Sequence, residues 1–213
     1  MEELDLLKKS WQKSEQSFEQ VSENQIYTMI HKNSSSVVKW IMIIGIIEFV
    51  LVTALGIFIP DDNYDRTLEK NHVGTLVTVI TIISYFVSIA FIYLFYKNFR
   101  TISTTDSVRK LMRNILKTRK TVQFYVWYNL GMFVIMFIII MFSFCYYDEN
   151  FSKMFDKVQL KENASLIWAG IIGLFFIMFS VMFGLFWLFY KLVYGFLLRK
   201  LNKNYQELKK IDL

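Results

Sequence analysis

VVKWIMIIGIIEFVLVTALGIFI, residues 37–59, is a run of 23 residues carrying only two charges, Lys39 and Glu48. A bilayer core of ~30 Å is crossed by about 20 helical residues, because each adds ~1.5 Å. Hydrocarbon offers the backbone no hydrogen-bond partners, so a run of this length reads as a transmembrane helix rather than a strand. The only proline in the chain, Pro60, follows at once and ends it.

Three further runs, 73–96, 122–147 and 164–190, contain no charged residue at all. The four occupy nearly half of the 213 residues, and residues AVILMFWYC make up 54% of the chain, above the ~45–50% of a soluble domain. A disordered tail, a disulfide-stapled secreted domain with one cysteine and a porin-like barrel are excluded on these grounds. The expected fold class is therefore an all-α membrane protein with four transmembrane helices, a membrane domain over 37–190, and polar segments at 1–36 and 191–213. No cleavable signal peptide is expected ahead of the first run.

Orientation follows from the flanking Lys and Arg. The N-terminal segment with Lys39 holds five, the 97–121 loop eight and the C-terminal tail six, against two in 60–72 and three in 148–163. Nineteen basic residues against five predict both termini and the middle loop on the cytoplasmic side of a bacterial inner membrane. The formal net charge of +6 is thus an orientation signal.

The polar segments have helical patterning of their own. Leu4, Leu7 and Trp11 recur at helical spacing, and Ser22 with Gln25 forms a capping box ahead of Ile26, Tyr27, Met29 and Ile30. Ser34-Ser35-Ser36 is expected to separate that second short helix from the first span. In 105–120, capped by Thr105 or Asp106, residues Val108, Leu111, Met112, Ile115 and Leu116 make an apolar stripe. Arg109, Lys110, Arg113, Lys117, Arg119 and Lys120 occupy the remaining faces, which suits anionic lipid headgroups at about 1 kcal/mol per basic residue. A helix tethered under a bilayer meets phospholipid before nucleic acid, so lipid is the expected partner. Leu197, Leu198, Leu201, Tyr205 and Leu208 stripe the tail, where packing against the N-terminal pair and the middle helix would build a small layer beneath the bundle.

Glu48 is the twelfth residue of its run and is expected near the bilayer centre, where an ionisable group is costly and functional by default. Depth matching proposes Ser84, Tyr85 and Ser180 as its partners. The choice lies between a proton or ion relay and one interhelical hydrogen bond of ~1 kcal/mol. In the fourth span, Ala169, Gly173, Ser180 and Gly184 share one face, expected to pack within the bundle or else to form a homodimer. His31 and His72 are expected on opposite membrane sides, and Cys145 is alone. No Walker loop, dinucleotide fingerprint or H-E-x-x-H is present, so no catalytic residue, metal site or cofactor is expected.

LDLLKKSWQK (4–13), QIYTMIHKNSSSVVKWI (25–41), KLMRNILKTRKTVQFYVWYNL (110–130) and RKLNKNYQELKK (199–210) together resemble a group of flavobacterial inner-membrane proteins. That resemblance implies a bacterial origin and a link to extracytoplasmic-function sigma factors, with an anti-sigma-like regulator holding its partner through the N-terminal helices. The chain departs from zinc-type anti-sigma factors in lacking H-x-x-x-C-x-x-C. Some proteins of this look carry a carotene-cleaving monooxygenase name, but such enzymes hold iron with several histidines, and two on opposite faces do not supply them.

The resulting expectation is a non-enzymatic regulatory or scaffolding membrane protein with a cytoplasmic or membrane protein partner. Leu4, Leu7, Trp11, Ile26 and Tyr27 are the expected contacts. A transporter or accessory subunit using Glu48 is the alternative, and a membrane enzyme the third.

Overall fold

The computed structural model of the chain describes residues 22–58, 62–70, 73–105, 107–147, 149–160 and 162–211. Among the described residues six helices follow one another: α1 (Glu23–Phe58), α2 (Asp62–Lys70), α3 (Gly74–Ser103), α4 (Val108–Tyr147), α5 (Glu149–Gln159) and α6 (Ala164–Ile211). Among the described residues there is no strand. Four of these helices, α1, α3, α4 and α6, are long and apolar enough to cross a membrane.

The long helices outrun their apolar stretches. At ~1.5 Å per residue, the 36, 30, 40 and 48 residues of α1, α3, α4 and α6 reach about 54, 45, 60 and 72 Å. The three serines at 34–36 do not separate a short helix from the span, since α1 passes through them unbroken. Serine costs a helix only a few tenths of a kcal/mol, and packing of the same face on both sides overrides that. The 105–120 segment is likewise no free-standing surface helix. It begins at Val108, with the Ser107 carbonyl accepting from the Leu111 amide, and runs on into the third apolar stretch without a glycine or proline to break it. The expected capping box at the start of α1 is present: the Ser22 amide donates to Gln25 Oε1 at 2.8 Å, and the Gln25 amide donates to Ser22 Oγ at 3.3 Å.

Around the bundle the order is α1, α3, α4, α6 and back to α1, each antiparallel to both neighbours. Residue pairs fix that register: Gly45 faces Phe95, Phe91 faces Tyr125, Phe133 faces Phe186, and Ser34 faces Asn204. Gly45 is where absence of a side chain matters, because a Cβ there would lie 3.2 Å from the Phe95 ring.

Packing is uneven along the bundle. Its continuous core occupies the end that carries the basic segments: Ile30, Val37, Val38 and Ile41 from α1, Phe95 and Ile102 from α3, Leu111, Ile115 and Val122 from α4, and Leu197, Leu201 and Leu208 from α6. These positions alternate by four and three, as in 111, 115, 118, 122, 125 or in 190, 194, 197, 201, 204, 208, which is the seam spacing of a coiled coil. The apolar stripes of the basic middle segment and of the tail therefore face neighbouring helices of the same chain. Further along, most large apolar side chains point outward, such as Phe58, Phe86, Leu166 and Phe176. Such a surface suits lipid rather than water.

The segments between spans at the opposite end also hold short helices where the sequence suggested loops. Phe151 and Phe155 of α5 lean on Trp168 of α6 with ring centroids 5.9 and 5.0 Å away, and Leu68 of α2 is buried, its carbonyl accepting from the Val73 amide.

Candidate functional site

Glu48 is met by tyrosines of α6. The Tyr190 hydroxyl donates to Glu48 Oε1 in a short hydrogen bond, and the Tyr194 hydroxyl donates to Oε2 at 3.1 Å. A carboxylate is an acceptor only, so two phenolic donors, one per oxygen, are the complement it needs away from water. Tyr190 and Tyr194 sit one helical turn apart on one face, 24° from parallel, and Tyr125 of α4 meets both edge-on. Phe95 in turn packs edge-on against Tyr125 at 5.4 Å. Burial of Tyr125, Tyr190 and Tyr194 leaves their hydroxyls few positions other than the Glu48 side of the bundle.

This register revises the depth of the site. Tyr125 is the fourth residue of its apolar run and Tyr190 the last of its own. Glu48 is therefore level with the basic-flanked ends of the third and fourth runs, not with their middles. The reason is stagger: α1 enters the bundle with its apolar face already engaged at Ile30, so residue 48 lies well up the helix when residue 190 has only just left the apolar stretch. Lys191, the residue after Tyr190, points outward and rests 4.2 Å over the Trp187 ring, an amphipathic side chain at such a boundary.

Above the carboxyl group α1 and α3 part from α4 and α6, and a cleft of about 410 Å³ opens between the pairs. Ser84, Tyr85 and Ser88 of α3 line it together with Glu48, Phe49, Tyr125, Asn129, Phe186 and Tyr190. Two of the three partners expected from depth matching, Ser84 and Tyr85, thus share the cleft with Glu48 without bonding to it, and Tyr128 makes a long contact to Ser84 Oγ at 3.5 Å. Ser180 is exposed on α6 and lies outside the cleft, a correction that follows from the same stagger. Thr78 and Thr81 turn their hydroxyls back to the carbonyls of Gly74 and Val77 in their own helix.

For the small-residue face of α6, the expected packing within the bundle is corrected. Ala169 and Ser180 are exposed, and a Cβ on Gly173 or Gly184 would meet nothing within 4 Å, so the stripe makes no close contact inside the bundle. The aromatic residues on the other side of α6 do that work, with Phe137 and Phe179 at 4.7 Å and Phe133 and Phe186 at 4.8 Å.

At the basic end a polar network ties the helices. Asn204, 2% exposed, donates to Ser34 Oγ at 2.9 Å and accepts from Asn33 Nδ2 at 3.0 Å. Arg119 turns inward and donates to Asn202 Oδ1 at 2.7 Å, unlike Arg109, Lys110, Arg113, Lys117 and Lys120, which are exposed. Asn98 donates to Thr121 Oγ1 at 3.2 Å. The carbonyls that close α3 are taken by α1: Tyr27 donates to Thr105 O at 3.1 Å, and His31 Nε2 lies 2.8 Å from Ile102 O. Thr105 therefore belongs to the end of α3 rather than to the cap of α4, while Asp106 lies outside the described residues.

Of the expected partner contacts, Tyr27 is turned into the bundle in this way, Ile26 is exposed, and Leu4, Leu7 and Trp11 lie outside the described residues. Sequence reading missed Tyr125, Tyr190, Tyr194, Asn98 and Asn204. For Tyr125, Tyr190, Tyr194 and Asn204 the signal was the four-three spacing, which places polar and phenolic groups at seam positions of α4 and α6. Cys145 is exposed, and among the described residues no group of three or more His, Cys, Asp or Glu converges.

No curated protein and no solved structure matches the chain. A domain family of unknown function, DUF8845, matches it over residues 24–213, which takes in every helix described above except the first residue of α1, Glu23. With that match covering most of its length, the chain belongs to the DUF8845 family.

Proposed function

We propose that this protein is a non-enzymatic, multi-pass protein of the bacterial inner membrane, with both termini in the cytoplasm, that holds a protein partner through its cytoplasmic face. The observation that carries the reading is the continuation of all four long helices beyond their apolar runs into one closely packed, hydrogen-bonded stalk. A stalk that projects rigidly from a membrane positions a docking surface at a fixed height and orientation. Its outer face offers exposed Arg109, Lys110, Arg113, Lys117 and Lys120, with Ile26 and Met29 exposed at the start of α1. The basic side chains also suit the anionic headgroups beside them. An anti-sigma-like regulator is the form of partnership in keeping with the sequence resemblance, with residues 1–36 as the holding segment.

Native purification of the full-length protein in mild detergent tests this. A partner is expected to co-purify stoichiometrically and to be lost from the Leu7→Ala/Trp11→Ala and Ile26→Ala/Met29→Ala variants, while the variants keep the wild-type melting temperature. If everything that co-purifies with the wild type also co-purifies with both variants, the docking role is wrong. A transport-related role is the second reading, and the cleft beside Glu48 is what favours it.

A further inference from the structure

The cleft between the α1–α3 and α4–α6 pairs combines three properties. First, it is apolar and aromatic for most of its wall, with Phe49, Tyr85, Tyr125, Phe186 and Tyr190 around it. Second, Glu48 is the only carboxylic acid among the described residues that line it, and no described Lys or Arg lines it. Third, the hydrogen bonds that reach the Glu48 carboxyl group come from tyrosine hydroxyls, and among the described residues no basic side chain pairs with it. Charges away from water are ordinarily paired, and truncation of one partner of a pair is expensive because the other is left alone. A carboxyl group set among aromatic side chains and lacking a basic partner is the complement of a cation that brings its own apolar surface. The ring quadrupoles attract such a cation, and the carboxylate neutralises it. The volume, about 410 Å³, is that of a small-molecule site. Ser84 and Ser88 add hydroxyls on the opposite wall.

We propose that this cleft binds a hydrophobic organic cation, an amine or quaternary onium ion, with its charge against Glu48 and its apolar groups among the rings of Phe49, Tyr125 and Tyr190. The site's position, level with the basic-flanked ends of the third and fourth apolar runs, suits a ligand that partitions into the headgroup region and enters sideways. Binding of this kind stands apart from the docking role and requires no transport, since a site is occupied whether or not its ligand crosses the membrane.

The test uses purified full-length protein in a neutral detergent, with tetraphenylphosphonium as the probe and tetraphenylborate as a control of matched shape and opposite charge. Each is measured by equilibrium dialysis against protein-free micelles. Saturable binding of one phosphonium per chain is expected, with no saturable binding of the borate. Glu48→Gln is expected to weaken phosphonium binding at least about tenfold, because it removes the charge and keeps the shape. Glu48→Asp is expected to retain most of it. Ser88→Trp fills the cleft from the α3 side and leaves Glu48 with its tyrosines, so it is expected to abolish binding, and it decides the matter should Glu48→Gln fail to fold. Equal binding of phosphonium and borate, undiminished binding to Glu48→Gln, or undiminished binding to Ser88→Trp would each overturn the proposal.

Discussion

Glu48 was visible from the sequence as the one acid inside an apolar run, but its partners were not. Depth matching assumes that spans begin at a common level, and it therefore pointed to residues near the middles of the other runs. In the bundle α1 is shifted so that its twelfth apolar residue faces Tyr190 and Tyr194 at the edge of the fourth run. Tyrosine is the side chain suited to that edge, apolar along its ring and able to donate at its tip. Each hydroxyl serves one carboxyl oxygen, so removal of a single one exposes the asymmetry of buried hydrogen bonds. Tyr194→Phe keeps the ring and leaves Glu48 Oε2 without its donor, at an expected cost of about 1–3 kcal/mol. The paired variant Tyr194→Phe with Glu48→Leu removes both ends and is expected to recover part of that loss. Thermal unfolding in detergent reads both, and equal melting temperatures for wild type and Tyr194→Phe would show that the contact carries no stability.

At the scale of the helix, the four apolar runs were plain because each is long and nearly uncharged, a pattern with one physical meaning. Their continuation was not plain, because serine and basic residues change composition without stopping a helix. Residues 34–36 illustrate this: Ser34 is fully buried against Asn204, so a serine there is a seam residue with a hydrogen-bond partner. The four-three spacing ran through both sides of the composition boundary and was the stronger signal. A single polar residue at a seam position fixes register in coiled coils at some cost in stability, and Ser34 with Asn204 fits that use. Continuity of α1 makes a sharp prediction. Ser35→Pro removes one helical amide donor and drives the ring into the preceding turn, for an expected loss of about 3 kcal/mol. Ser35→Ala is expected to be neutral or mildly stabilising. A hinge at the serines would tolerate the proline, so comparable melting temperatures for the two variants would refute the continuous helix.

For the whole molecule, the contrast between its two ends is the organising fact. One end is zipped by leucine, isoleucine and asparagine into a stalk, and the other spreads phenylalanines outward. Water favours the first arrangement and lipid the second, so the chain divides along its length into a part fit for an aqueous compartment and a part fit for a bilayer. Basic residues concentrate on the stalk end, and the cytoplasmic side proposed for that end rests on the positive-inside rule. Because α1 and α6 both have their basic extensions there, the start of α1 and the end of α6 share a side whatever that side is, and one measurement orients the protein. In a Cys145→Ser background, Lys157→Cys on α5 and Lys110→Cys on α4 place single thiols at exposed positions on opposite ends. In spheroplasts a membrane-impermeant maleimide is expected to modify the cysteine at 157 at once and the one at 110 only after lysis. Modification of 110 before lysis, with 157 protected, would invert the protein, move the stalk outside and remove the cytoplasmic docking role with it. The Glu48 cleft would keep its chemistry in either orientation, since its carboxyl group and rings belong to the bundle and not to a compartment.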